Sequence, residues 1–67
     1  MNIKKLKKLR KNNDLTQKDV AELIGISRPM YNMIENGIRN PSLEVMQKIV
    51  DLFGEEAKDI FFNNGVA

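Results

Sequence analysis

The side chains suited to directed polar contacts gather between positions 16 and 40 of this 67-residue chain. Arg28 and Asn32 stand four apart, so a helix places them on one face. A guanidinium can donate to both O6 and N7 of a guanine, and a carboxamide can read an adenine edge. Ser27, Pro29 and Met33 border them, the last two offering only the apolar contact that a thymine methyl takes. This is the chemistry of recognition, not of bond-making. The sequence has no histidine and no cysteine. The usual general base, thiol nucleophiles, disulfides and thiolate metal sites are thereby excluded. Glu44, Asp51, Glu55, Glu56 and Asp59 show no pairing for acid–base work and read as a solvated face. No enzyme, cofactor or metal site is expected.

Holding such residues in place requires short, well-capped helices, because a chain this small buries only about 60% of its unfolded surface. Five helical segments are predicted. The first, roughly Asn2 to Asn12, carries Ile3, Leu6 and Leu9 at one-turn spacing and lysines on its other faces. Thr16 caps the second, with Asp19 in the capping-box position and Val20, Leu23 and Ile24 as the apolar stripe. Gly25 stops it, since glycine alone enters the left-handed region freely. Ser27 caps the third, Pro29 lies in its first turn, and Tyr31 and Ile34 point inward. Ser42 caps the fourth, whose stripe is Leu43, Met46, Ile49, Val50 and Phe53. The fifth, roughly Glu55 to Phe62, closes the core with Ile60 and Phe61. The expected architecture is all-α: one compact five-helix bundle at residues 1–62, with a frayed tail at 63–67.

The stretch QKDVAELIGISRPMYNMIEN, residues 17–36, sets two of these helices around a tight Gly25-Ile26-Ser27 turn. Helices joined so closely cross steeply, as in a helix-turn-helix. The crossing needs a small side chain at the close approach, and Ala21 supplies it. It needs apolar residues facing a shared core, and Val20, Ile24, Ile26, Tyr31 and Ile34 supply those. The segment LTQKDVAELIGISRPMYNMIENG, followed by NPSLEVMQKIVDLFG, resembles the lambdoid-phage repressor and Cro family of DNA-binding domains.

The resemblance runs from about Ile3 to Phe62. It implies a sequence-specific transcriptional regulator, a repressor by preference, that binds double-stranded DNA at a pseudo-palindromic operator as a homodimer. A cytoplasmic, nucleoid-associated location follows from that role. In such docking the second helix crosses the DNA backbone and the third enters the major groove. Ser27, Arg28, Pro29, Asn32 and Met33 then become base readers. The family grips phosphate with a glutamine at the position of Gln17, which Thr16 and Lys18 flank, and again after the third helix, at Asn36, Arg39 and Asn40. Arg10 and Glu35 stand where the family joins its first and third helices through an ion pair. Two departures matter. Arg28, Pro29 and Met33 replace the Gln and Ser frequent at reading positions, so the operator is unreadable by analogy. Tyr31 fills a place usually held by a smaller aliphatic, and its hydroxyl needs a partner.

The net charge of +2 hides an uneven distribution. Residues 1–28 hold eight basic and three acidic side chains, whereas residues 29–67 hold three and six. That polarity suits a polyanion on one face. Lys4, Lys5, Lys7 and Lys8 read as a solvated face of the first helix, not as specific contacts. The alternative to DNA is a protein partner, as for an antitoxin or antirepressor. It is motivated by the unusually apolar third helix, with Pro29, Met30, Tyr31 and Met33. No apolar run approaches the roughly 20 residues of a membrane span, and no small-molecule ligand is identifiable.

Overall fold

In the computed structural model, which describes residues 1–62, each of the first four helices begins at a side chain that satisfies a free N–H of its first turn. Asn2 accepts from the Lys5 N–H at 3.1 Å and opens α1, Ile3–Asn12. Thr16 opens α2, Gln17–Ile24, through a full capping box: its hydroxyl accepts from the Asp19 N–H at 3.0 Å, and the Asp19 carboxylate accepts from the Thr16 N–H at 2.9 Å. The backbone N–H of Thr16 is the first cause that holds the Asp19 carboxyl below its ordinary value. Ser27 caps α3, Arg28–Glu35, and Ser42 caps α4, Leu43–Phe53, each accepting at 3.2 Å. The expected last helix is divided. A 3₁₀ turn, Glu55–Ala57, precedes the short α5, Lys58–Phe61. The tail expected at 63–67 lies outside the described residues.

The core gathers one face from every element. Leu6 and Leu9 of α1, Val20, Ala21 and Ile24 of α2, Tyr31 and Ile34 of α3, Ile49 of α4, Ala57 and Ile60 are all buried. Leu15, Ile26, Met30, Val45, Leu52 and Phe53 pack around them, half-buried. The Asn2 N–H donates to the Ile60 carbonyl at 2.7 Å, which ties the start of α1 to α5.

Four residues placed in apolar stripes by their spacing are not in the core: Ile3 and Met46, half-buried, lie outside it, and Leu23 and Leu43 are exposed. Leu23 is 59% exposed and Leu43 is 77% exposed. Leu23 lies about 160° round the helix from the buried Ala21, and Leu43 about 120° from Ile49. The inward face of α2 is centred on Val20, Ala21 and Ile24. That of α4 runs through Val45, Ile49 and Leu52. Phe62 is 52% exposed and follows α5 in extended conformation.

The turn between α2 and α3 decides how the two helices cross. Gly25 has φ 77° and ψ 32°, in the left-handed region. Its successor Ile26 donates back to the Ala21 carbonyl at 3.0 Å, closing the end of α2. Ala21, 1% exposed, sits under this return. A Cβ at position 25 would meet only Lys48 Nζ at 3.8 Å, so the position is roomy and the demand for glycine is conformational. Gly25→Ala is expected to lower unfolding free energy by about 1–2 kcal/mol, measured by urea denaturation. An unchanged midpoint would show that the left-handed turn is not required.

Candidate nucleic-acid interface

At the far end of α3 from the turn lies Glu35, the one buried charged or polar residue among the described residues. A carboxylate out of water is tolerated only when its lone pairs are taken up. Four donors do so. Arg10 Nε reaches Oε2 at 2.8 Å and Arg10 Nη2 reaches Oε1 at 2.9 Å, a bidentate pair. Tyr31, four residues back on α3, donates its hydroxyl to Oε2 at 2.6 Å. Gln17, the first residue of α2, donates Nε2 to Oε1 at 3.1 Å. Arg10 also donates Nη1 to the Leu15 carbonyl at 2.9 Å, pinning the α1–α2 loop. One carboxylate therefore joins α1, α2 and α3.

Burial raises the Glu35 pKa, but the bonds from Arg10, Tyr31 and Gln17 outweigh it, and the net shift is downward. Burial also pushes the Tyr31 hydroxyl up, with the bond to Glu35 acting the same way. The Arg10 guanidinium is raised, first by its bond to Glu35.

The polar chain continues outward to the surface. Asn32 donates Nδ2 to Gln17 Oε1 at 2.9 Å, across the α2–α3 crossing. Asn36 donates Nδ2 to Asn32 Oδ1 at 3.2 Å. Gln17, Asn32 and Asn36 are thus brought together as one row of amides. Thr16 stands beside them as the cap of α2. Arg28, the first residue of α3, is exposed, and Pro29, exposed, and Met33, half-exposed, lie on the side of α3 away from Tyr31. Among the described residues Arg28 makes no ion pair.

A second group forms beside the start of α3. Ser27, Met30, Arg39 and Asn40 line a groove of about 360 Å³, together with Pro41 and Val45. The Ile38 and Arg39 N–H groups both donate to the Met33 carbonyl, at 2.9 and 3.3 Å, which folds the α3–α4 loop back over the end of α3. Lys18 is exposed and joins neither group by any hydrogen bond or ion pair among the described residues. The acids expected on a solvated face are exposed. Asp59 meets Lys5 at 3.2 Å, Glu44 meets Lys48 at 3.7 Å, and Glu55 meets Lys58 at 2.9 Å.

The residue pattern names no partner for the Tyr31 hydroxyl and shows no bond from Gln17 to Glu35 or to Asn32. The Tyr31–Glu35 and Asn32–Asn36 pairs do carry a sequence signal, since four residues is one helical turn. Gln17 lies 15 residues from Asn32, and only the crossing of the helices brings them together.

The helix-turn-helix family profile matches residues 6–60. An uncharacterized HTH-type transcriptional regulator of Methanocaldococcus jannaschii is 44% identical over 57 residues, covering 85% of this chain and 86% of that protein. The cryptic phage CTXphi transcriptional repressor RstR of Vibrio cholerae is 36% identical over 50 residues, covering 75% of this chain and 45% of RstR. The antitoxin PezA of Streptococcus pneumoniae is 40% identical over 57 residues, covering 85% of this chain and 36% of PezA. The chain thus spans less than half the length of RstR and of PezA. No solved structure matches the chain significantly. Among the described residues no helix is long and apolar enough to cross a membrane.

The Glu35 cluster makes two measurable demands. Glu35→Ala strands the Arg10 guanidinium and is expected to cost about 3–5 kcal/mol. Tyr31→Phe removes one charge-assisted bond and is expected to cost about 1.5–3 kcal/mol. Because the folded pKa of Glu35 lies below the 4.5 of the free group, its contribution is complete above that value and is lost as pH falls through the folded pKa. Urea unfolding between neutral and acid pH should show that loss, and Glu35→Gln should flatten it. A variant as acid-sensitive as the parent would place the titration elsewhere.

Proposed function

The chain belongs to the helix-turn-helix family of the repressor and Cro type, and from that membership we propose that it is a sequence-specific, DNA-binding regulator of transcription. The observation that carries this reading is the outward face of α3, where Arg28 is exposed and unpaired among the described residues beside Asn32. We assign α3 to the major groove and the start of α2 to the DNA backbone. Arg28 reads a guanine through O6 and N7, and Asn32 reads an adenine. Ser27, Pro29 and Met33 complete the reading face. Thr16, Gln17 and Lys18 on one side, and Asn36, Arg39 and Asn40 on the other, hold phosphate.

The protein acts as a repressor in this proposal, a role that the name of RstR supports. One α3 covers only a few base pairs, so two copies bind a pseudo-palindromic operator with half-sites about 34 Å apart. Its place of action is the cytoplasm, on the nucleoid. A second reading, a protein-binding module, is favoured by the exposure of Pro29, the half-exposure of Met33 and the similarity to an antitoxin. Titration with random duplex DNA separates the two. A complete lack of binding at low salt would favour the protein partner.

DNA affinity is expected to fall roughly ten- to thousandfold for a fourfold rise in salt, as counterions released from phosphate are restored. Fluorescence anisotropy with a labelled duplex measures this. Arg28→Ala should erase discrimination at one operator position, worth about 1–3 kcal/mol, and leave the others intact. If that variant ranks every duplex as the parent does, Arg28 is not a base reader.

A further inference from the structure

The row of amides between the core and the reading face has a direction, and that direction has one source. An ionised carboxylate accepts hydrogen bonds and donates none. Glu35 therefore obliges Gln17 to turn its NH₂ inward, as it does at 3.1 Å. The Gln17 carbonyl oxygen is then left facing α3, where it accepts from Asn32 Nδ2 at 2.9 Å. That in turn commits Asn32 Oδ1 to the Asn36 NH₂ at 3.2 Å. Each amide is set by the one before it. Arg10 and Tyr31 hold Glu35 itself at 2.8 and 2.6 Å, so the first member of the row cannot rotate without breaking a buried pair.

A primary amide has two N–H donors and two acceptor lone pairs. Asn32 spends one N–H on Gln17 and one lone pair on Asn36. One donor and one acceptor remain, in a fixed order. Adenine presents N7 as an acceptor beside N6 as a donor in the major groove. Reversing the amide would exchange the places of the donor and the acceptor, and the fit would be lost.

We propose that Glu35 is a positioning residue for base recognition: through Gln17 it fixes the amide sense of Asn32 and so selects adenine at the half-site position that Asn32 meets. The inference rests on the DNA-binding reading above and adds a specificity role to a buried ion pair. It also gives Gln17 a second role besides holding phosphate. A residue that touches only phosphate weakens binding to all sequences alike. Gln17 in addition affects one base.

The test is selection of bound sequences from a random duplex pool by the full chain. Asn32→Ala first identifies the position that Asn32 reads, as the one where preference disappears. Glu35→Gln places a group that donates as well as accepts at the head of the row, so the row can run backwards. Where this variant folds, preference for adenine at that position should drop roughly tenfold, with the Arg28 position unchanged. Because loss of the ion pair threatens folding, Gln17→Met is the second variant. It cuts the row at its first link and leaves Arg10, Tyr31 and Glu35 in place. It should lower affinity for all duplexes and also relax the Asn32 position roughly tenfold. In the DNA-free protein, the Asn32 Nδ2 protons should lose their protection from solvent exchange in the same variant.

Gln17→Met with uniformly weaker binding and an intact adenine preference would overturn the positioning role while leaving DNA recognition standing. Unchanged exchange of the Asn32 amide in that variant would overturn it independently of DNA. A parent protein that enriches no sequence would overturn the DNA reading itself, and the positioning role with it.

Discussion

The rest of this small structure depends on the burial of one negative charge. The Glu35 residue is 0% exposed. A carboxylate so placed is destabilising unless donors converge on it. Arg10 from α1, Tyr31 from α3 and Gln17 from α2 do converge, within 3.1 Å. Each donor stands on a different element or turn, so satisfying the charge also fixes how three helices meet. A purely apolar contact would be non-directional and would let the helices slide. The ionic cluster instead prescribes one arrangement, and its outermost donor already belongs to the candidate interface.

Around that cluster the chain follows local rules closely, which is how a fold of this size manages without cysteines to form disulfides. Caps at Asn2, Thr16, Ser27 and Ser42 and the left-handed Gly25 mark helix ends through bonds of short range. The core needs only one inward face from each helix. What remains outward on α3 is Arg28, Pro29, Asn32 and Met33, a face that packing does not require. In the proposed function that outward face is the one that meets DNA, while the inward face builds the fold.

Much of this was legible in the residues because the governing interactions are local. Thr16 with Asp19, and Gly25 before a new cap at Ser27, announce their roles within a few positions. The assignment failed where it depended on the centre of a face and not on its period. Leu23 and Leu43 fit a helical spacing, yet each lies on the flank of a face that neighbouring helices do not cover. The pairing of Arg10 with Glu35 came from family resemblance, not from spacing, since 25 residues separate them. The need of the Tyr31 hydroxyl for a partner was visible. Its partner, one turn away, became certain only with the inward rotation of α3. The bond from Gln17 to Asn32 was not legible at all, because it exists only through the crossing angle of two helices.

The claim that the start of α2 and the outward face of α3 meet DNA is tested most directly by following backbone amide resonances during titration with a bound duplex. Shifts are expected at Thr16 to Lys18, at Ser27, Arg28, Asn32 and Met33, and from Asn36 to Asn40. None is expected at Glu44, Asp51 or Glu56, which lie on the acidic, solvated remainder. Shifts centred on α4 and α5, with α3 silent, would contradict it.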